Sequence, residues 1–240
     1  MSYHNKNDLM IMFHYILMLL EYKEAGITIN QFINNIKEKY PNDKIAYAGR
    51  LDPMARGYIP ILFNDECYNM TKYTNMRKIY RVKVIIGIQT DTDDPLGIIQ
   101  NMNYSILPKD CFNLSMVTIN QAFHYYSTKS INQRRRNIDN VDKHNVMLYK
   151  SSIVSTGIIP TDEFINTIIN IINCIDKTKN FRQKEIIDQW SKIQVPIEYI
   201  ELELDVSSGF FVRQFIRDTS ISLNIPLMCY DIWRTELCDI

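Results

Sequence analysis

Residues 49–59 read Gly49-Arg50-Leu51-Asp52-Pro53-Met54-Ala55-Arg56-Gly57-Tyr58-Ile59. One carboxylate, Asp52, stands in a short segment punctuated by two glycines and a proline, with arginines two residues before it and four after. Glycine and proline impose a backbone that neither a helix nor a strand would give. The acid is therefore presented on a stiff turn, beside cations that keep it ionised and can hold a polyanion. Such a setting suits an aspartate that acts as a nucleophile. An ordinary Asp-Pro turn with incidental arginines would contain the same residues, so the rest of the chain has to decide between the two.

Upstream, Leu9 to Leu20 is an apolar run too short to span a bilayer, and it carries His14. It lacks the small-residue cleavage site of a signal peptide and reads as a buried first strand ending near Glu21. After Lys23-Glu24-Ala25-Gly26, the residues Thr28-Ile29-Asn30-Gln31 fit a capping box. Phe32, Ile33, Ile36 and Tyr40 then recur at helical spacing up to Pro41.

Downstream, Tyr80, Val82, Val84, Ile86 and Ile88 share one face of a strand, with Arg81 and Lys83 on the other. Gln89 to Gly97 is a polar turn closing it; its three acids lack the register of a calcium loop. Thr161-Asp162 starts a helix with Phe164, Ile165, Ile168, Ile169, Ile172 and Ile175 on its apolar side, and 176–184 reads as an exposed connection. Ile200, Leu202, Leu204 and Val206 alternate with acids, which predicts a second half-buried strand. It runs into Ser207-Ser208-Gly209-Phe210-Phe211-Val212-Arg213, beyond which helical spacing puts Arg213 and Arg217 on one face. These elements predict a mixed α/β (α+β) domain with a central, mostly antiparallel sheet and flanking helices.

At 240 residues and 46% apolar, the chain is ample for one large domain or two small ones. The five cysteines (67, 111, 174, 229, 238) are scattered and read as reduced, buried thiols of an intracellular protein. The histidines at 4, 14, 124 and 144 form no ligand pattern, so no metal is predicted. The 27 basic and 27 acidic side chains cancel, which weighs against nucleic acid as a partner. A local basic face from Arg50, Arg56, Lys129, Arg134-Arg135-Arg136, Arg213 and Arg217 would reverse that.

In order, the Lys23…Gly26 turn, Leu51-Asp52-Pro53-Met54-Ala55-Arg56-Gly57, Tyr80-Arg81, Gly87 to Asp94, Tyr125 to Lys129, Ser207-x-Gly209…Arg213 and Ile232-Trp233-Arg234-Thr235 resemble the motifs of the TruB family of tRNA pseudouridine synthases. The resemblance runs from near Leu20 almost to the C-terminus. One stretch, roughly 132–194, matches poorly and reads as an insertion on a single catalytic domain of residues 1–240. The chain stops five residues after Thr235, which leaves no room for the C-terminal RNA-binding domain of many relatives.

The resemblance implies isomerisation of uridine to pseudouridine without a cofactor. Asp52 would be the nucleophile or the base that starts glycosidic cleavage. Arg213 would pair with it, and Tyr80 would lie against the flipped base and handle a proton. Ile232 takes the place of a leucine that packs the base from the other side. Lys23, Tyr47, Arg50, Arg56, Lys129 and Arg217 are the expected RNA contacts.

Three departures from the family motifs stand out: one replaces a histidine that engages RNA, and two replace lysines, which implies weaker phosphate binding. Tyr47-Ala48 stands for His-Thr, Asn64 to Tyr68 for Gly-x-x-Thr-Lys, and Ser208 for a lysine. An aromatic at Tyr47 can still stack on bases. The reading is a monomeric, guide-independent synthase acting on the T-arm of tRNA, with no membrane partner. Its rival is a non-catalytic RNA-binding or folding factor, which would have no need of Asp52, Tyr80 and Arg213 together.

Overall fold

A computed structural model of the chain describes residues 17–103, 106–108, 110–127 and 143–238. Strand β1 (Met18–Lys23) leads into helix α1 (Ile29–Lys39), whose capping box forms as the sequence predicts. The Thr28 hydroxyl accepts from the Gln31 amide, and the Gln31 side chain accepts from the Thr28 amide. Next come β2 (Ile45–Tyr47), β3 (Ala55–Phe63), a 3-10 turn (Asn64–Asn69), α2 (Met70–Asn75) and β4 (Arg77–Ile86). A hairpin of β5 (Ile88–Thr90) and β6 (Ile99–Met102) precedes the long strands β7 (Leu114–Ala122) and β8 (Lys143–Ile159). Helices α3 (Thr161–Cys174) and α4 (Gln183–Trp190), strand β9 (Ile197–Val206), helix α5 (Val212–Leu223) and strand β10 (Leu227–Cys238) complete the order.

Eight strands form one sheet in the order β1-β3-β10-β4-β9-β8-β7, with β2 also on β3. Every pairing is antiparallel except β3 with β10, so the sheet is mixed and mostly antiparallel, as expected. Alternation along β4 and β9 buries one face, while Arg81, Lys83, Glu201 and Glu203 on the other are half-buried. Val82, Val84, Leu202 and Leu204 pack with Phe32 and Ile36 of α1 and Phe215 and Ile216 of α5. Ile85, Met228 and Ile197 pack on the other side with Phe164, Ile168 and Ile172 of α3 and Trp190 of α4. None of the described helices is long and apolar enough to cross a membrane.

Of the stretch 132–194, the described residues from 143 on add β8 to the sheet, paired with both β7 and β9, and lay α3 and α4 on it as a further layer. The expectation of buried thiols changes. Of the five thiols, which are all free, only Cys229 is buried, while Cys174 is exposed.

Candidate active site

The segment 49–54 links β2 to β3 without regular structure, so its shape depends on what grips its carbonyls. Two buried cations do. The Lys23 ammonium donates to the carbonyls of Asp52 (3.1 Å), Ala55 (2.7 Å) and Glu24 (3.0 Å). Arg234 donates from Nε to the Tyr58 carbonyl (2.9 Å) and from Nη2 to that of Gly49 (3.2 Å). Gly57 lies at φ +133° directly against β10, where a Cβ would collide with the Arg234 carbonyl oxygen. Gly49 lies at φ +76°, and the Arg234 guanidinium would stand 3.1 Å from an added Cβ. The two glycines of the motif are thus where β10 and its arginine close on the turn.

This arrangement presents the Asp52 side chain, 44% exposed, to Arg213 at the start of α5. Arg213 donates to Asp52 Oδ2 from Nε (2.9 Å) and Nη2 (2.7 Å). Its Nη1 donates to the Thr92 carbonyl (2.8 Å) and lies 3.4 Å from Asp94 Oδ2. Burial alone would lower the guanidinium pKa; the carboxylates of Asp52 and Asp94 outweigh it and hold the pKa above the ordinary arginine value. Burial raises the Asp94 carboxyl pKa against the pull of Arg213 and the Thr92 hydroxyl.

A cavity of about 310 Å³ opens over this pair. Ala55, Tyr80, Lys78, Ile232 and Arg234 line it from one sheet face. Their register explains this, since Ile232 stands opposite both Ala55 and Val82, and Arg234 opposite both Gly57 and Tyr80. Phe210, Phe211 and Val212 form another wall. Asp52 is the one carboxylate among the described lining residues, against Arg50, Lys78, Arg213 and Arg234. The net charge of zero thus conceals a cationic pocket.

The structure brings together Asp52, Tyr80, Arg213, Ile232 and Arg50. Arg50 sits at the exposed rim and donates to the Tyr47 hydroxyl from Nε (3.1 Å) and Nη2 (2.9 Å). Three expected RNA contacts are placed otherwise. Lys23 is 0% exposed, because its ammonium holds the turn that carries Asp52. Arg56 projects from the sheet face opposite Ala55, in a two-bond pair with Asp231 beside the Trp233 ring. Arg217 is paired with Asp93 at 2.6 Å. Lys129 and Arg134 to Arg136 lie outside the described residues.

The polar turn 89–97 is not a solvent turn. Its acids diverge to separate partners. Asp91 takes Arg182 of the α4 N-terminus, Asp93 takes His124 and Arg217, and Asp94 faces Arg213. Thr92, Asp93 and Asp94 are all buried. The sequence reading gave no role to Asp93, Asp94, His124, Lys78 or Arg234. The match of Gly87 to Asp94 and the Ile232-Trp233-Arg234-Thr235 ending were signals for three of these, Asp93, Asp94 and Arg234. His124 had none.

The same layout occurs in solved structures. One is described as an H/ACA RNP bound to a substrate RNA containing 2'-deoxyuridine, with a TM-score of 0.56 at 12% identity over 95% of this chain and 49% of that one. A Cbf5-Nop10-Gar1 complex gives 0.57 at 12% identity, over 95% and 50%. TM-scores of that size at so low an identity establish a shared fold alone. The profile of the TruB family pseudouridylate synthase N-terminal domain matches residues 37–212, and the chain belongs to the TruB family. A tRNA pseudouridine synthase B of Blochmanniella floridana is 40% identical over 83 residues, 35% of this chain and 32% of that protein. The match thus spans about a third of that relative's length. The Mycoplasmoides gallisepticum protein of the same name is 24% identical over 89% of this chain and 87% of its own.

Proposed function

We propose that this protein isomerises uridine to pseudouridine in RNA, acting on the T-loop uridine of tRNA that becomes the Ψ of TΨC. The observation that supports this best is the Asp52–Arg213 pair at 2.7 Å on the floor of a cationic cavity beside Tyr80 and Ile232. Among the described residues no hydrogen bond reaches Asp52 Oδ1, so Arg213 orients the carboxylate through Oδ2 and leaves the other oxygen for the reaction. Asp52 then attacks the ribose or removes a proton from it, the bond to N1 breaks, and the uracil turns and rejoins through C5, which frees Asp52; the proton lost from C5 is matched by the one N1 gains. Tyr80 lies against the base and handles a proton, and Ile232 packs it. The cavity stands at the small end of ligand-sized pockets, so a single flipped nucleotide fits the role of occupant.

Arg50, Tyr47 and the described cations of the rim hold phosphate and stack on RNA. The whole chain works as one catalytic domain, as a monomer, without a guide RNA and without a resident cofactor. The test is incubation of the purified chain with a tRNA transcript, followed by pseudouridine mapping, beside its Asp52→Asn form. Pseudouridine at the T-loop uridine with wild type and none with Asp52→Asn is the expected result. RNA binding by wild type with no pseudouridine formed would return the rival, a binding factor.

A further inference from the structure

Behind the wall of the cavity lies a charge cluster that the proposed chemistry does not use directly. His124 and Asp93 both have side chains 0% exposed, with His124 Nε2 2.9 Å from Asp93 Oδ2. Arg217 Nη1 reaches the same oxygen at 2.6 Å. The Tyr126 amide donates to His124 Nδ1 at 3.3 Å. With Nδ1 accepting, the ring proton is on Nε2 and is donated to Asp93. His124 also lines the cavity itself.

Asp93 sits at φ +56°, a left-handed conformation that a non-glycine residue keeps only when its surroundings hold it. Its carbonyl accepts from the Cys229 amide of β10 at 3.0 Å. On either side of it are the two groups that receive Arg213 Nη1, the Thr92 carbonyl and the Asp94 carboxylate.

Resting on the reading of the cavity as a uridine-isomerising site, we infer that His124 is a positioning residue for catalysis. Anchored on Asp93, it fixes the turn whose Thr92 and Asp94 aim Arg213 at Asp52. It performs this role only when uncharged, because a proton on Nδ1 would meet the Tyr126 N–H. The groups around the ring are Asp93 from the turn after β5, Asp52 from the loop before β3, Arg213 and Arg217 from α5, and the Tyr126 hydroxyl. Burial, opposed by the Asp93 bond, leaves the His124 pKa below its ordinary value, so the ring is neutral at pH 7.

The experiment measures single-turnover isomerisation and RNA affinity for the full chain from about pH 5 to 8. Wild type is compared with His124→Leu, His124→Gln, Asp93→Gly and the Leu/Gly double variant. Glutamine places an amide N–H where Nε2–H lies, and glycine adopts the left-handed backbone while removing the acceptor. His124→Leu should slow turnover about tenfold or more, with affinity changed by less than about threefold. His124→Gln should restore most of that loss and lack the acid fall in rate that wild type shows. The leucine change should cost little more once Asp93→Gly is present. An unchanged rate in His124→Leu, or the same acid limb in wild type and His124→Gln, would overturn the role. If the leucine form does not fold, the acid limb of the glutamine form still decides. A wild type that makes no pseudouridine would instead overturn the proposed function, and this role with it.

Discussion

Asp52 and Arg213 stand 161 residues apart in the chain, yet two nitrogens of the arginine converge on one oxygen of the aspartate, at 2.9 and 2.7 Å. The third nitrogen, Nη1, faces away, to Thr92 and Asp94. The guanidinium therefore works as a rigid connector between the Asp52 carboxylate and a buried turn. Arg213→Lys keeps the charge but offers no planar edge to hold both partners at once. It should cost about tenfold or more in isomerisation rate, about 1.4 kcal/mol of barrier, with RNA affinity changed much less. The check is single-turnover kinetics beside filter binding; equal rates for the two forms would remove the pairing from the mechanism.

The same geometry separates what the sequence reveals from what it hides. Asp52, Tyr80 and Arg213 were legible because each sits in a local pattern: a Gly/Pro-punctuated turn, an alternating strand and the end of a strand-to-helix run. The capping box at Thr28 was legible for the same reason, since its partners lie three residues apart. The burial of Thr92, Asp93 and Asp94 was not, because charged residues in a turn signal solvent unless their partners are known. Those partners, Arg213, Arg217 and His124, come from elements far away in sequence. Lys23 misled for the matching reason: a lysine beside a turn looks like a surface cation, and only the fold shows four backbone carbonyls converging on it. The strand β8 was missed because polar and charged residues interrupt its alternation, and β7 and β9 supply the pairing that holds it.

Asp94 offers a test of the connector that leaves both Asp52 and Arg213 intact. Its Oδ1 accepts from the Thr92 hydroxyl (2.7 Å) and the Leu96 amide (2.9 Å), bonds that asparagine can keep. What Asp94→Asn removes is the charge facing Arg213 Nη1. Turnover should fall by about tenfold or more while RNA affinity stays within about threefold. An Asp94→Asn enzyme as fast as wild type would confine Asp94 to holding the turn.

Tyr80 stands on the cavity floor between Arg234 of β10 and Leu204 of β9, its register partners. In the proposed reaction the ring packs against the base, and only the hydroxyl can carry a proton. Tyr80→Phe retains the ring, so a slowing of about a hundredfold or more with affinity preserved would assign the hydroxyl to general acid-base work. A rate unchanged in Tyr80→Phe would assign Tyr80 to packing alone, a distinction read directly from single-turnover rates.

The last prediction concerns stability and pH. Lys78 is buried, with its ammonium 2.6 Å from the Thr74 carbonyl and 2.5 Å from that of Met76. Burial, reinforced by the charge of Arg234, lowers its pKa from 10.5 to about 8. Burial brings Lys23 to about 8 as well, against the opposing pull of Asp52. Between the folded and unfolded pKa values of these lysines the unfolded chain binds more protons than the folded one. Their contribution to unfolding free energy must therefore rise with pH, from about 8 toward 10.5, and the cost of burying the charges is greatest below that window. Removing one of them should flatten the rise. Urea unfolding of wild type and Lys78→Met across this window is the measurement. The wild-type slope should exceed that of the variant by up to about 1.4 kcal/mol per pH unit. Groups common to both proteins, the raised Cys229 thiol among them, cancel in the difference. Parallel curves would mean that Lys78 titrates in the folded protein as it does in the unfolded chain, and that its charge is not desolvated in the cavity wall.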